Sequence, residues 1–404
     1  MASSAPLTPA NEADLAAMIR ACAGAKRGLV TEGSGTKRHF GPSAPAGTER
    51  VSLRALHRVI AYEPEDMVVS VEAGIRLADL QRELAVHHQW LPVDPPFSDA
   101  TIGGVLATHS SGARRLAYGT VKDMLLGARV IGASGVASKS GGRVVKNVSG
   151  YDLHKLQVGA FGSLGVLVEA NFRVSALPEA AAVLWLAAPS LATSHQTLLE
   201  IAATSLRPCA LEALDPHSAD DLAAAVPDLP RQMSLAVIGI EGSRPILERH
   251  LRDLAGLRTR AVASGLIEGP GLVRFWEALR DLSVRHASDI TLRLGARPHD
   301  LAQLLGRLEP LEARHTGTVV QAALGVARVS VTPSENVSSL VAAMATWQLL
   351  AMQRGGYAVV ESAPLDCPGR ERLPWACRGD HALGALAKHR WDPDQVLNPG
   401  RMAC

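Results

Sequence analysis

Aromatic side chains are the scarcest large group in this 404-residue chain: Phe, Trp and Tyr together make up 4% of it. Proteins that stack bases on rings need more, so RNA and single-strand binding fall away. Charge of one sign is missing as well. Lys and Arg number 41 against 39 acidic residues, and a net charge of +2 offers no field to nucleic acid or an anionic membrane. The five cysteines (Cys22, Cys209, Cys367, Cys377 and Cys404) include no C-x-x-C pair, which excludes a zinc ribbon or a ferredoxin-type cluster run within this chain. Their odd number and wide gaps suit reduced, cytoplasmic thiols. No histidine pair has metal-ligand spacing, and the adjacent His87 and His88 would point to different helix faces. The longest apolar helical stretch, Leu340 to Met352, is interrupted by Thr346 and Gln348 and is shorter than the ~20 residues a membrane span needs. The opening MASSAPLTPANEADL has no basic region leading into an apolar one, so no secretory signal is expected. The N-x-[ST] triplets at Asn147 and Asn336 then read as chance matches. The expected location is the cytoplasm, with at most peripheral contact at the inner membrane.

What is present is Ala, Leu and Val for a core, with 36 glycines. At ~100–200 residues per domain, the length predicts two or three domains. Asn11 to Ala25 carries Leu15, Met18, Ile19 and Cys22 at helical spacing. Leu29 to Thr31 reads as a short strand, Leu53 to Ile60 as a short helix and Met67 to Glu72 as a strand. Leu77, Leu80 and Leu84 mark a helix from Leu77 to His87. From Leu91 to Gly119 the pattern dissolves into Pro, Gly, Ser and Thr, a stretch too long for an ordinary connector and therefore expected to be a functional loop. Strands return at Leu125 to Ile131 and Val166 to Val174. After Val174 the composition shifts: strand-like and helix-like runs alternate, which predicts an α+β sandwich with helices on one face.

Three segments could do chemistry. Gly33-Ser34-Gly35-Thr36-Lys37 follows a strand, and its small residues leave backbone N–H groups free to converge on an anion. It is neither G-x-G-x-x-G, since Arg38 takes the third glycine's place, nor a P-loop, and a ligand-free tight turn remains the alternative. Lys37 and Arg38 would pair with phosphate or form an exposed basic pair. The second segment runs from Pro95 to Gly112, where Gly103 and Gly104 stand among the hydroxyls of Thr101, Thr108, Ser110 and Ser111. The third holds Lys146 to Asp152 and then Gly159 to Gly165, with glycines three apart before a strand.

In order along one domain, GSGTK (33–37), EAGIRLADLQ (72–81), DATIGGVLATHSSG (99–112), RLAYGTVKDMLLGARVI (115–131), VKNVSGYDL (145–153) and GAFGSLGVLVEANFRV (159–174) resemble the flavin-binding domain of the vanillyl-alcohol-oxidase type. The closing VLNPGRM (396–402) resembles the last segment of that family, and within it the chain is most similar to the flavin-binding E subunits of bacterial glycolate oxidase complexes. The resemblance implies non-Rossmann, PCMH-type binding of FAD by a domain of two α+β subdomains (1–175). An α+β cap domain with an antiparallel sheet (176–377) and a returning C-terminal segment (378–404) would follow. It also implies roles. Gly33, Ser34, Gly35, Thr36 and Lys37 would wrap the pyrophosphate. Ala100, Thr101, Gly103, Gly104, Thr108, Ser110 and Gly112 would line the flavin and its ribityl chain. Gly162, Gly165 and Val166 would pack the adenine side, and Asn398 and Arg401 would return near the flavin.

One departure stands beside these matches. The catalytic subunits of such dehydrogenases carry an H-x-G-D-G-N-x-H segment that this chain lacks. The resemblance therefore implies an FAD-containing subunit of a glycolate (2-hydroxy-acid) oxidase or dehydrogenase complex, partnered by a catalytic flavin subunit and an iron–sulfur subunit. A self-sufficient FAD-dependent 2-hydroxy-acid dehydrogenase and a non-catalytic flavin-carrying assembly subunit are the alternatives. The catalytic residues stay unassigned.

Overall fold

The computed structural model describes residues 5–143, 150–284, 286, 288–306, 314–333, 337–376 and 381–402. Most of the VKNVSG motif, Asn147 and Asn336 of the two N-x-[ST] triplets, Cys377 and Cys404 lie outside these residues. The chain divides into two compact units: Met1–Ser111, Gly119–Leu177 and Gly379–Cys404 form the first, Gly112–Tyr118 and Pro178–Arg378 the second.

In the first unit, the helix Glu12–Gly24 starts at Asn11, whose side chain accepts from Asp14 N, and it buries Leu15, Ile19 and Cys22. These pack with Leu29, Val51, Ile131, Val166 and Leu397 in one cluster. Strands β1 (Leu29–Glu32) and β2 (Glu49–Ser52) pair in parallel. The main sheet uses β3 (Val59–Glu63), β4 (Val68–Glu72), β6 (Leu125–Ile131), β7 (Ala137–Gly141) and β8 (Val166–Arg173), in the order β3-β4-β8-β6-β7 and antiparallel throughout. Two short strands, β5 (Gln89–Trp90) and β9 (Ser175–Ala176), pair beside it. The tail closes onto β1: Leu29 N donates to Val396 O at 2.8 Å and Asn398 N donates to Leu29 O at 2.7 Å.

Two sequence expectations in this unit change. Leu53 to Ile60 is not a helix; a turn at Leu53–Leu56 leads into β3, because β-branched Val59 and Ile60 pack better in a ladder. The stretch from Leu91 to Gly119 is not one loop, since Ile102–Thr108 is helical despite Gly103 and Gly104. Packing supplies what propensity lacks: Ile102, Val105 and Leu106 are buried, Gly103 N donates to Ala73 O at 2.7 Å, and Thr101 caps the helix by accepting from Gly104 N.

The second unit is built on an eight-stranded antiparallel sheet of β10 (Ala180–Ala188), β11 (Ala210–Leu214), β12 (Ser234–Gly242), β13 (Ala263–Ile267), β14 (Ile290–Gly295), β15 (Arg314–Gln321), β16 (Val326–Thr332) and β17 (Tyr357–Ser362). Its order is β13-β10-β12-β11-β15-β16-β14-β17. Helices cover both faces rather than the one expected. Those beginning at Leu191, Arg244, Pro298 and Ser338 pack on one side, while on the other side Pro216–Ala225 covers β15, β12 and β11 and Pro270–Asp281 covers β10. The reason is visible in the strands: β10 and β12 are buried at nearly every position, so both of their faces need cover. β16 instead alternates buried and half-buried, with only one face in the core. Among the described residues no helix is long and apolar enough to cross a membrane.

Candidate functional site

β1 ends at Glu32, and the chain turns at once through Gly33–Lys37. A Cβ at Gly33 would stand 1.9 Å from Thr101 Oγ1, so only glycine lets this turn and the helix cap approach each other. Gly35 has φ +76°, a left-handed conformation that glycine adopts without cost. The bare backbone so produced walls a cleft of about 420 Å³. Thr31, Glu32 and Gly33 line one side; Thr101, Gly103, Gly104 and Ala107 line another. Phe161, Gly162 and the apolar Leu53, Ala73 and Leu167 complete the lining.

Charge at the cleft is balanced in advance. Glu32 accepts from Arg50 Nη2 at 2.7 Å and has Arg38 Nε at 3.6 Å, so its carboxylate is matched rather than left to repel an anion. Ser34 Oγ is buried and has no hydrogen-bond partner. An orphaned hydroxyl on a glycine turn, with backbone exposed on either side, fits a diphosphate that would accept from it. The residues present therefore suit FAD at this cleft. Lys37 is directed elsewhere: its ammonium donates to Pro96 O at 3.0 Å and lies 5.2 Å from the Phe97 ring centre, fastening the Pro95–Phe97 turn to the glycine turn.

The structure gathers Gly33, Thr101, Gly103, Gly104 and Gly162 at the cleft itself, with Ser34, Gly35 and Thr36 in the turn that borders it. Ala100 is buried just before the cap, and its carbonyl accepts from Leu77 N. Thr108 and Ser110 hydroxyls bond each other at 2.7 Å, and Thr108 Oγ1 also donates to Gly104 O, closing the helix end. Gly165 immediately precedes β8 and lies against Val130, and Val166 opens β8 paired with Ile131. Asn398 accepts from Thr31 N and donates to Gly162 O at 2.9 Å, while Arg401 donates to Pro42 O at 2.7 Å and Arg38 O at 3.2 Å. Both tail residues thus spend their side chains on holding the turns around the cleft. Gly112 lies in the second unit, where its carbonyl accepts from Gln321 Nε2. Sequence reasoning missed Thr31, Glu32, Leu53, Ala73, Ala107, Phe161 and Leu167 as lining. Phe161 could have been found, since it sits inside the GAFGSLG run and takes a positive φ of 51°, a cost that packing at a site must offset.

Residues 4–140 match a family model described as an FAD binding domain. The chain is 34% identical over 191 residues to glycolate oxidase subunit GlcE of Escherichia coli, covering 47% of this chain and 53% of that protein. Glycolate oxidase subunit GlcD of Bacillus subtilis is 29% identical over 212 residues, 52% of this chain and 45% of that one. The mitochondrial cytochrome-type D-lactate dehydrogenase of Arabidopsis thaliana is 33% identical over 171 residues, 42% and 30% of the two chains. The chain thus spans about half the length, or less, of these curated relatives. Among solved structures, an alkyldihydroxyacetonephosphate synthase superposes on 98% of this chain and 77% of its own with a TM-score of 0.64 at 17% identity, which shows a shared fold. Over residues 4–140 the N-terminal part of this chain thus matches an FAD binding domain, and the glycine-walled cleft suits that cofactor.

Proposed function

We propose that this chain is the FAD-binding subunit of a complex that oxidises a small 2-hydroxy acid such as glycolate, working beside a catalytic flavin subunit and an iron–sulfur subunit that carries electrons onward. One observation supports this reading above the others: the similarity to glycolate oxidase and D-lactate dehydrogenase chains extends across about half of this chain, with the FAD-domain match within residues 4–140. Bound FAD supplies the two-electron acceptor. The chain's own residues do the holding. The backbone at 33–35 and the Ser34 hydroxyl would hold the diphosphate, Arg50 and Arg38 keep Glu32 matched, and Phe161 would pack against the bound group from the lining of the cleft. The lack of C-x-x-C spacing in this chain supports placing the clusters on a partner. The setting proposed is the cytoplasm, with at most peripheral contact at the inner membrane.

The test is anaerobic titration with glycolate, D-lactate and D-2-hydroxyglutarate, followed at the flavin absorbance band, for the chain alone and for the chain co-expressed with both partner subunits. The complex should bleach with at least one acid while the lone chain bleaches slowly or not at all. Equal rates would establish a self-sufficient dehydrogenase instead. A complex that no acid bleaches would remove the 2-hydroxy-acid reading altogether.

A further inference from the structure

One stretch of the cleft lining is held in a conformation that its own residues do not favour. Phe161 takes φ +51° and Gly162 follows at φ +69°. A left-handed backbone is unfavourable for a bulky residue and persists only where its surroundings over-determine it. Three contacts do so here. Phe161 N donates to Ala107 O at 2.8 Å. The next two carbonyls are engaged by the C-terminal segment: Gly162 O accepts from Asn398 Nδ2 at 2.9 Å, and Ser163 O accepts from Lys388 Nζ at 2.9 Å.

Lys388 is an inverted anchor. On the helix His381–Trp391 it is the buried residue among those described, while Leu383 and Leu386 stand exposed. A helix that turns lysine inward and leucine outward is docked by its ammonium, not by an apolar face. Beyond Ser163 O, that ammonium donates to Leu397 O at 2.6 Å and to Asp392. Asp392 in turn accepts from Val396 N at 2.9 Å and from Leu397 N at 2.7 Å. The turn so ordered presents Asn398, whose N donates to Leu29 O and whose Oδ1 accepts from Thr31 N. One buried cation therefore grips the lining twice: directly at Ser163, and at Gly162 through Asp392, residues 396–397 and Asn398.

We propose that Lys388, which lies outside the cleft lining, is a positioning residue for FAD. By fixing Ser163 and Asn398 it keeps Phe161 and Gly162 left-handed, and so sets how slowly the cleft releases the cofactor. A buried ion pair adds little stability over well-packed apolar side chains of the same volume, and position is what this one supplies. The inference rests on FAD occupying the cleft, not on which acid the complex oxidises.

The test is the rate at which FAD leaves the full chain, measured by ultrafiltration of gel-filtered holoprotein at timed intervals after dilution. The variant is Lys388→Met with Asp392→Asn, which removes the ammonium without stranding a carboxylate. Its release should be about 10- to 100-fold faster than wild type, the range for one lost hydrogen bond from a charged group. Leu84→Ala is the comparison. It opens a cavity under the helix Leu77–Ala85, which packs on β5, and lowers stability while leaving every bond to residues 161–163 in place. Its release rate should stay within about twofold of wild type. Phe161→Asn separates the route, because asparagine tolerates a left-handed backbone. In that background the Lys388 change should accelerate release several-fold less. Should the paired variant fail to fold, Lys388→Gln with Asp392→Asn, one bond shorter but still a donor, carries the same expectation. Equal release from wild type and the Lys388 variant, or equal acceleration by Leu84→Ala, would overturn the positioning role. An acceleration undiminished by Phe161→Asn would overturn its route through the lining. A wild-type chain that binds no FAD would remove cleft and positioning role together. Lys388-dependent release from a chain whose complex no hydroxy acid bleaches would leave the positioning role standing and remove only the function proposed above.

Discussion

Gly33→Ala tests the cleft at its narrowest point. The added methyl would lie 1.9 Å from Thr101 Oγ1, 2.7 Å from its Cγ2 and 2.8 Å from its Cβ. Ordinary contact requires the two groups to separate by roughly 1.5 Å. Thr101 can yield only by giving up its cap on Gly104 N, a loss of about 1 kcal/mol, and the displaced β1 turn adds about 1–3 kcal/mol of overpacking. The combined cost is about 2–4 kcal/mol, which in a unit of this size lowers the melting temperature by about 5–15 °C. Because the same methyl enters the cleft, FAD occupancy should fall with stability. Flavin-to-protein ratio by absorbance and melting with and without added FAD measure both. Thr101→Ala removes two of the three clashing atoms, so in that background the Gly33→Ala step should cost at least ~1 kcal/mol less. A Gly33→Ala protein with wild-type melting temperature and full flavin would refute the close approach from which the cleft is derived.

Two further outcomes follow from other buried groups. Lys388 Nζ donates to Asp392, to Ser163 O at 2.9 Å and to Leu397 O at 2.6 Å, so Lys388→Met strands a buried carboxylate and should cost ~3–5 kcal/mol in urea unfolding, with part restored by a second change, Asp392→Asn. His195 Nε2 donates to Pro298 O, leaving Nδ1 buried and unpartnered, and burial chiefly holds its pKa below the ordinary histidine value. The unfolded chain therefore takes the proton first: stability is full above pH ~6.5 and declines as pH falls toward the folded value, by up to about 1.4 kcal/mol per pH unit. His195→Phe should flatten that decline between pH 6.5 and 5; an unchanged slope would discount the buried imidazole.

Local pattern carried the regular elements well. The Leu77-Leu80-Leu84 spacing, the β8 run and the glycine turn after β1 are each decided by residues close in sequence, where period and backbone freedom speak directly. The Ile102–Thr108 helix was not legible, because its stability comes from Ala73 and from buried Ile102, Val105 and Leu106 rather than from its two glycines. Cover on both faces of the second sheet was equally hidden, although the unbroken apolar runs of β10 and β12 contained the hint. At the cleft, the glycines announced themselves while Thr31, Glu32 and Ala73 did not, since residues with ordinary backbones become lining only when three distant segments meet. The exchange of Gly112–Tyr118 into the second unit depends on Gln321 and Glu241, more than a hundred residues later, and no local signal could convey it.

The bonding of the tail to β1 sets a timetable for biosynthesis. Leu29 and Thr31 find their partners in residues 396–398, so the strand that leads into the glycine turn stays incomplete until Asn398, 367 residues beyond Thr31, has been translated. At ~5–20 residues per second the wait is roughly 20–70 s. Throughout it, one edge of β1 is open, and the Gly162 carbonyl that Asn398 will later engage lacks that partner. The sealing of β1 is thereby tied to the synthesis of residues 396–398, and a ribosome that stalls before Leu397 leaves a nascent chain with that strand edge open.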